Sequence, residues 1–529
     1  MEPRLTTPPG IQYLGQTRAH PLRVCITWVW YSTYAAFVDY AKAFDLVNRT
    51  SLWKKLLHND INGKVFTVIN NMYTKAKSCV KSNNNISEFF ASKCGVRQGD
   101  NLSPLLFAIY INDFESFLSK RYKGLSELAE DITELLSDNE LRVYLRLYTL
   151  LYADDTVILA ESEKELQMAL DGLEDYCALW NLTVNLDKTK IIIFSRGKIR
   201  KHGPFTFGGE PIEVVYEYIY LGLTISHNNS FTKAIQKQLT LARKAQFSLL
   251  SKVKKLNLPI DLQLNLFDKL VLPVLTYGCE IWGIANLKEI EVFHRKFIKN
   301  VLSISKYTAN PTCYGETGRE PIINTIYQRV ITFWVNIKQG ETNKISTIIY
   351  RLLRKLFDLN IYQSKWCKKV SEILNNLGLS YLWNRNNISK NQVKTHIKSK
   401  LKDITIQEWR SNMNGNILCQ NYRLLKEELK FEHYITVLDS DLRIAMTKFR
   451  TGSHQLPISI KRYNPIDDRN VCPLCALETG DEYHYVLVCP SFEYYRKLYI
   501  PAYYSTRPNT IKFKELFSLN DKMHLSKLA

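Results

Sequence analysis

Apolar and β-branched residues fall in short runs over the first half of the chain and in helical periods over the second. The runs 147–152 and 156–160 flank Asp154 and Asp155 and read as two buried strands joined by a tight turn that carries both aspartates. Residues 35–39 read as another short apolar strand, ending in Asp39. A strand pair with an Asn-rich turn at 83–85 is expected over 78–93, a strand over 191–194 and a further pair over 205–225. Helices are expected from an N-cap at Ser51 through Leu57, over 65–73, and over 105–114 with Pro104 at the start. Ser162 and Glu165 fit a capping box, and Leu166, Leu170, Leu173, Cys177 and Trp180 then recur at spacings of three or four. That pattern predicts an amphipathic helix over 162–180. The charged stretch 119–143 reads as a surface helical excursion. From Phe231 the alternation ceases, and 231–360 reads as helices punctuated by Pro259, Pro273 and Pro311.

Composition narrows the class. The chain has 529 residues, enough for roughly two to four domains, and 45% hydrophobic residues, which places it among globular proteins. Its net charge of +20 calls for a polyanionic partner, nucleic acid ahead of a membrane surface. The charge is also one-sided along the chain. No acid lies between Glu217 and Asp261, where Lys233, Lys237, Arg243, Lys244, Lys252, Lys254 and Lys255 accumulate, and a second acid-free basic run covers 385–402. A phosphate backbone suits such runs better than a merely solvated face does. The eleven cysteines are scattered except for Cys472, Cys475 and Cys489, so a reducing, intracellular location (nucleus, cytoplasm or both) is expected, not a disulfide framework. No apolar run approaches ~18 residues and no secretory signal opens the chain, so neither membrane partner nor secretion is expected.

Two buried aspartates cost several kcal/mol, roughly, unless a cation compensates them. An ordinary acidic turn is the plain alternative. If the strands ending in Asp39 and Asp154–Asp155 are neighbours, three carboxylates converge and suit Mg²⁺, whose remaining positions take water and substrate phosphates. Two such ions activate an attacking oxygen and stabilise a leaving one, which is phosphoryl-transfer chemistry. Near the C-terminus Cys472, Cys475, His484 and Cys489 are spaced C-x₂-C-x₈-H-x₄-C, a set that suits one closed, structural Zn²⁺ site. Arg462, Tyr463, Arg469 and Tyr483 lie near enough in sequence to be candidate nucleic-acid contacts.

The ordered motifs Phe-Val-Asp-Tyr-Ala-Lys-Ala-Phe-Asp (37–45), Gly-Val-Arg-Gln-Gly-Asp-Asn-Leu-Ser-Pro (95–104), Tyr-Ala-Asp-Asp (152–155), Asn-x-x-Lys-Thr-Lys (185–190) and Tyr-Leu-Gly (220–222) resemble those of reverse transcriptases. The likeness is nearest to the non-LTR, LINE-type retrotransposons and covers roughly 35–300; Tyr277-Gly278-Cys279-Glu280-Ile281-Trp282 resembles a segment of their thumb. The resemblance implies an α+β fold: a palm of antiparallel sheet with packed helices, a helical thumb, and a C-terminal helical region with a small zinc-binding module. The expected boundaries are an unassigned leader over 1–34, palm 35–226, thumb 227–305, basic helical connector 306–458, zinc region 459–500 and tail 501–529.

By the same resemblance Asp39 and Asp154 are the principal Mg²⁺ ligands and Asp155 the third acid. Phe44 is a steric gate against a ribose 2′-OH, Gln98 and Gly99 touch the incoming nucleotide and the template, and Lys188 stands near the nucleotide phosphates. Asp45 is expected to hold the turn, and the basic residues of 233–255 to grip the primer–template backbone. The implied activity is RNA-directed DNA polymerisation from dNTPs on an RNA template and a DNA primer, with two Mg²⁺ and one structural Zn²⁺. The leader is too short for the fingers the resemblance implies, so a truncated element is expected, and an inactive remnant that only binds nucleic acid is the alternative.

Overall fold

The computed structural model describes residues 33–118, 149–152, 155–195, 202–458 and 471–529, apart from 84, 93, 342–343, 361, 387 and 520. The expected excursion at 119–143 lies outside these residues, as do Asp154, Arg462, Tyr463 and Arg469. Contacts divide the chain into two compact units, 1–234 with 336–368 and 235–335 with 369–529.

The first unit is built around a four-stranded sheet of β1 (Thr33–Val38), β2 (Thr149–Tyr152), β3 (Asp155–Ala160) and β4 (Lys190–Phe194), in the order β2-β3-β1-β4. All its pairings are antiparallel. β1 reads as a continuous apolar run because both its faces are covered. Ala36 and Val38 enter a core with the helices, while Phe37 on the opposite face stacks on Tyr218 with ring centroids 4.5 Å apart.

The helices covering the core face are α1 (Arg49–His58), α2 (Gly63–Thr74), α3 (Ser103–Tyr110), α4 (Phe114–Leu118) and α5 (Glu163–Trp180). α5 starts as expected: Ser162 Oγ accepts the Glu165 N–H at 3.3 Å. The reciprocal arm lands one residue early, with Glu165 accepting the N–H of Glu161. The cap of α1 is Asn48, not Ser51; the Asn48 side chain accepts the Ser51 N–H at 3.1 Å, so Ser51 is the residue being capped. The helix expected over 105–114 breaks after Tyr110, where Asp113 is drawn off to Lys55 Nζ at 2.7 Å and to the Tyr176 hydroxyl at 2.6 Å. Lys55 itself is buried over the Trp180 ring, 3.5 Å from its centroid, and burial pulls its pKa down to about 8 despite Asp113.

The expected pair at 78–93 is a long hairpin, Lys77–Ser78 with Phe90–Ala91 and Lys81–Ser82 with Asn85–Ile86. Residues 205–226 form two hairpins, the second of β5 (Glu217–Tyr220) and β6 (Leu223–Ser226).

α6 (Thr232–Leu256) contains the division at residue 234. Beyond it the second unit is helical, with only isolated β-bridges among its described residues. Its longer helices include α7 (Lys288–Val301), α8 (Asn310–Thr317), most of α9 (Ile322–Lys338), α10 (Lys390–Asn414) and α11 (Ser440–Arg450). The stretch read as a tail is helical too, over Thr510–Ser518 and Lys522–Leu528, and buries Phe513, Leu516, Phe517 and Leu525. No helix among the described residues is long and apolar enough to cross a membrane.

Candidate functional site

Register brings the first acids together. β1 and β3 pair as Phe37↔Val157 and Val38↔Thr156, so the next residues in line are Asp39 and Asp155. Directly opposed residues of an antiparallel pair point to the same face, about 4.5–5.5 Å apart at Cβ. Alternation from Phe37 puts both acids on the face turned away from the helices, the side on which Tyr218 packs. Burial, then Asp155, then Asp39, push the Tyr218 hydroxyl up to about 12. β2 and β3 form the expected hairpin, but Tyr152 pairs with Asp155, so Asp155 opens the strand and does not sit in the turn.

The turn after Val184 closes on Asp39. The Asp39 carbonyl accepts the Asn185 N–H at 2.8 Å, and the Asp39 N–H donates to Thr189 Oγ1 at 3.2 Å. Lys188, in the same turn, brings Nζ to 3.5 Å from Asp39 Oδ2 while staying 67% exposed. The lysine singled out in the sequence thus stands at the acids, with its ammonium open to solvent.

A second wall comes from two loops that meet. The Val96 N–H donates to the Phe44 carbonyl at 2.7 Å and the Gly95 N–H to Val47 at 2.9 Å. Gln98 Nε2 donates to both carboxylate oxygens of Asp45, at 3.1 and 2.9 Å, so the Asp45 side chain holds the loop. Phe44 is half-buried, its ring 5.2 Å from that of Phe107. Gly99 has φ +81° with nothing within 4 Å of an added Cβ, so its backbone conformation requires the glycine and the space beside it is open. The close approach is at Gly95 instead, where a Cβ would meet the Asp45 carbonyl oxygen at 2.5 Å. Sequence reasoning missed Arg49, whose guanidinium donates to the carbonyls of Gly95, Tyr73 and Cys94 at 2.9, 3.0 and 2.9 Å and ties the loop to α2. An arginine in a first helical turn carries no signal of such a role.

In the second unit Cys472, Cys475, His484 and Cys489 offer four ligand atoms within 4.8 Å of one another and could hold a metal ion. Cys472 Sγ lies 3.8 Å from Cys489 Sγ, and Cys475 Sγ lies 3.3 Å from His484 Nε2. The other ring nitrogen of His484 faces Glu478 Oε2 at 3.5 Å. Burial opposes ionisation of Cys472, but the N–H groups of Cys475 and Leu474, with Tyr485 and His484, hold its thiol down at about 6. The histidine opens a π-helical turn, His484–Val488, whose carbonyl at His484 accepts the Cys489 N–H at 2.7 Å and so brings two ligands together. Tyr483 turns inward onto Phe513, ring centroids 5.7 Å apart.

Along α6 the stripe Ala234, Leu239, Ala242, Leu249 and Val253 is buried. Arg243, Lys244, Lys252, Lys254 and Lys255 are exposed, and Lys237 is half-buried. Lys233 is exposed but partnered by Glu217 at 3.8 Å, which the acid-free run had not suggested.

An antiparallel sheet with Asp39 and Asp155 at one end of its open face and helices on the other is the arrangement expected of a reverse-transcriptase-like fold. Residues 8–225 match the family described as reverse transcriptase (RNA-dependent DNA polymerase). The match begins upstream of β1. The chain is 24% identical over 284 residues to the RNA-directed DNA polymerase from mobile element jockey of Drosophila funebris, an alignment covering 50% of this chain and 28% of that protein. It is 23% identical over 303 residues to the probable RNA-directed DNA polymerase from transposon X-element of Drosophila melanogaster, covering 55% and 30%. The chain thus spans under a third of the length of these relatives. A telomerase structure from Candida tropicalis aligns over 74% of this chain and 55% of its own at 11% identity and a TM-score of 0.27, a likeness that carries no argument. The family implies use of a divalent metal and a nucleic-acid substrate.

Proposed function

We propose that the chain is an RNA-directed DNA polymerase of mobile-element type, extending a DNA 3′-OH on an RNA template with dNTPs. The observation that carries this is the register that sets Asp39 opposite Asp155, with the Lys188 ammonium 3.5 Å from Asp39. Carboxylates brought together by backbone pairing are a hard-oxygen donor set, which fits Mg²⁺. Asp39, Asp154 and Asp155 would hold two such ions, which when bound activate the attacking 3′-oxygen and stabilise the leaving one. Lys188 neutralises charge on the triphosphate and can give a proton to the departing pyrophosphate. The half-buried Phe44 ring would gate against a ribose 2′-OH, and the open backbone at Gly99 leaves room for the nucleotide and template. The exposed cations of α6 grip the duplex backbone without reading sequence. Primer extension with the full chain on poly(rA)–oligo(dT), Mg²⁺ and dTTP tests the reading. Incorporation by the native chain, lost in Asp155→Asn, is expected. Salt-sensitive duplex binding with no incorporation by the native chain would leave only a nucleic-acid binder.

The Cys/His cluster we read as a structural Zn²⁺ site. Ligands bound at about 2.0–2.3 Å in a tetrahedron stand roughly 3.4–3.8 Å apart, which the 3.8 and 3.3 Å separations approach. Four protein ligands leave no open position for chemistry. Metal analysis should find about one zinc per chain, and chelation should lower the melting midpoint while hydrogen exchange rises only around 471–500. Purified protein free of zinc would refute the site.

A further inference from the structure

The N-terminal half of α10 belongs to none of the sites above. Its inward stripe is Val393, Ile397, Leu401, Thr405, Trp409 and Met413, a strict four-residue period. Lys390, Lys394, Lys398 and Lys402 keep the same period. Residues at a common spacing drift round a helix together, so the lysines run beside the buried stripe at a constant offset of about 100° and a rise of about 6 Å per step. All four are exposed, as are Lys400 and Arg385, and no described carboxylate pairs with any of them. The first turn of the helix holds no acid, so the lysines crowd the positive end of the macrodipole. Like charges at i,i+4 also repel along the stripe. Nothing among the described residues rewards this placement; an external polyanion does.

We propose that α10 is a second nucleic-acid contact, a track for the phosphate backbone of a duplex, separate from the α6 cations. The stripe spans about 18 Å, against an axial rise of about 3.4 Å per phosphate of one strand, so it can follow about five phosphates. A duplex is the occupant because the exposed face of 390–402 carries no Phe, Tyr or Trp on which unpaired bases would stack. The contact is purely electrostatic and does not depend on the polymerase reading.

The test compares the native full chain with K390Q/K394Q/K398Q/K402Q, and with the milder K394Q/K398Q, in binding a 30-base-pair RNA–DNA duplex over a range of salt. Each phosphate contact contributes about −0.9 to the slope of log K against log salt, so the quadruple variant should lose about 3.6 from the slope and the double variant about 1.8. Melting midpoints should not fall, since all four side chains are exposed and their replacement relieves like-charge repulsion. An unchanged slope overturns the proposal. So does an equal loss with a 30-nucleotide single strand, or a loss seen with phosphatidylserine vesicles and not with duplex. Primer extension in the same samples separates the two readings: an inactive native chain counts against the polymerase, not against this track.

Discussion

Asp39→Asn should abolish primer extension, lowering it at least about a thousand-fold, or ~4 kcal/mol in the barrier. It should leave the melting midpoint within about a degree or two, since surface ion pairs contribute roughly 0–1 kcal/mol. The separation of the two effects follows from the atoms involved. What fixes the end of β1 is backbone: the Asp39 carbonyl on Asn185 and its N–H on Thr189. Asparagine keeps both. Among the described residues its side chain forms an ion pair with the largely exposed Lys188 alone. Removing one of two opposed carboxylates also relieves like-charge crowding. A third readout needs no activity. Asp39 helps to raise the Tyr218 hydroxyl, so its neutral replacement should bring that phenol's titration down from about 12. The Tyr218→Phe difference spectrum isolates the signal. Marked unfolding of Asp39→Asn would make the aspartate a structural residue, and an unmoved Tyr218 titration would separate the acids from the phenol.

How much of this was legible in the sequence depends on the separation of the partners. The Tyr152–Asp155 hairpin, the Ser162 cap and the four metal ligands are local, and short-range spacing rules suffice for them. The meeting of Asp39 with Asp155 was legible through motif order, because two strands each end at an acid. Asn48 was passed over for Ser51 because both residue types cap helices and only geometry says which accepts. The Gln98–Asp45 clamp and the Arg49 tie join residues roughly fifty apart through rotamers and carbonyls that no periodicity encodes. The lysines of α10 were visible only as an acid-free run; the buried stripe had to be known before they resolved into one track.

The least legible feature predicts the largest change in stability. Arg450 on α11 and Glu316 on α8 are 2% and 0% exposed, 134 residues apart in sequence, and joined at 3.2 Å. Glu432 Oε2 forms a second ion pair with Arg450 at 3.1 Å, and the Tyr434 hydroxyl donates to Glu316 while standing 2.9 Å from Thr447 Oγ1. Burial works against the charge on Arg450, but Glu316 and Glu432 keep it firmly ionised. Glu316→Gln removes the fully buried half of that compensation and should cost about 3–5 kcal/mol, because the guanidinium has no water to turn to. Against a total of about 5–15 kcal/mol for a folded domain, that is enough to lower the urea midpoint of the second unit sharply. The double variant Glu316→Leu/Arg450→Met should recover most of the loss, since it removes both charges and leaves Glu432 with Lys426 at a partly exposed position. Equal destabilisation by the single and double variants would mean that the site depends on its hydrogen-bond geometry to Tyr434 and Thr447, with charge balance secondary. A coupling energy of several kcal/mol between positions 316 and 450 is the expected outcome, and urea unfolding of the two single variants and the double one measures it.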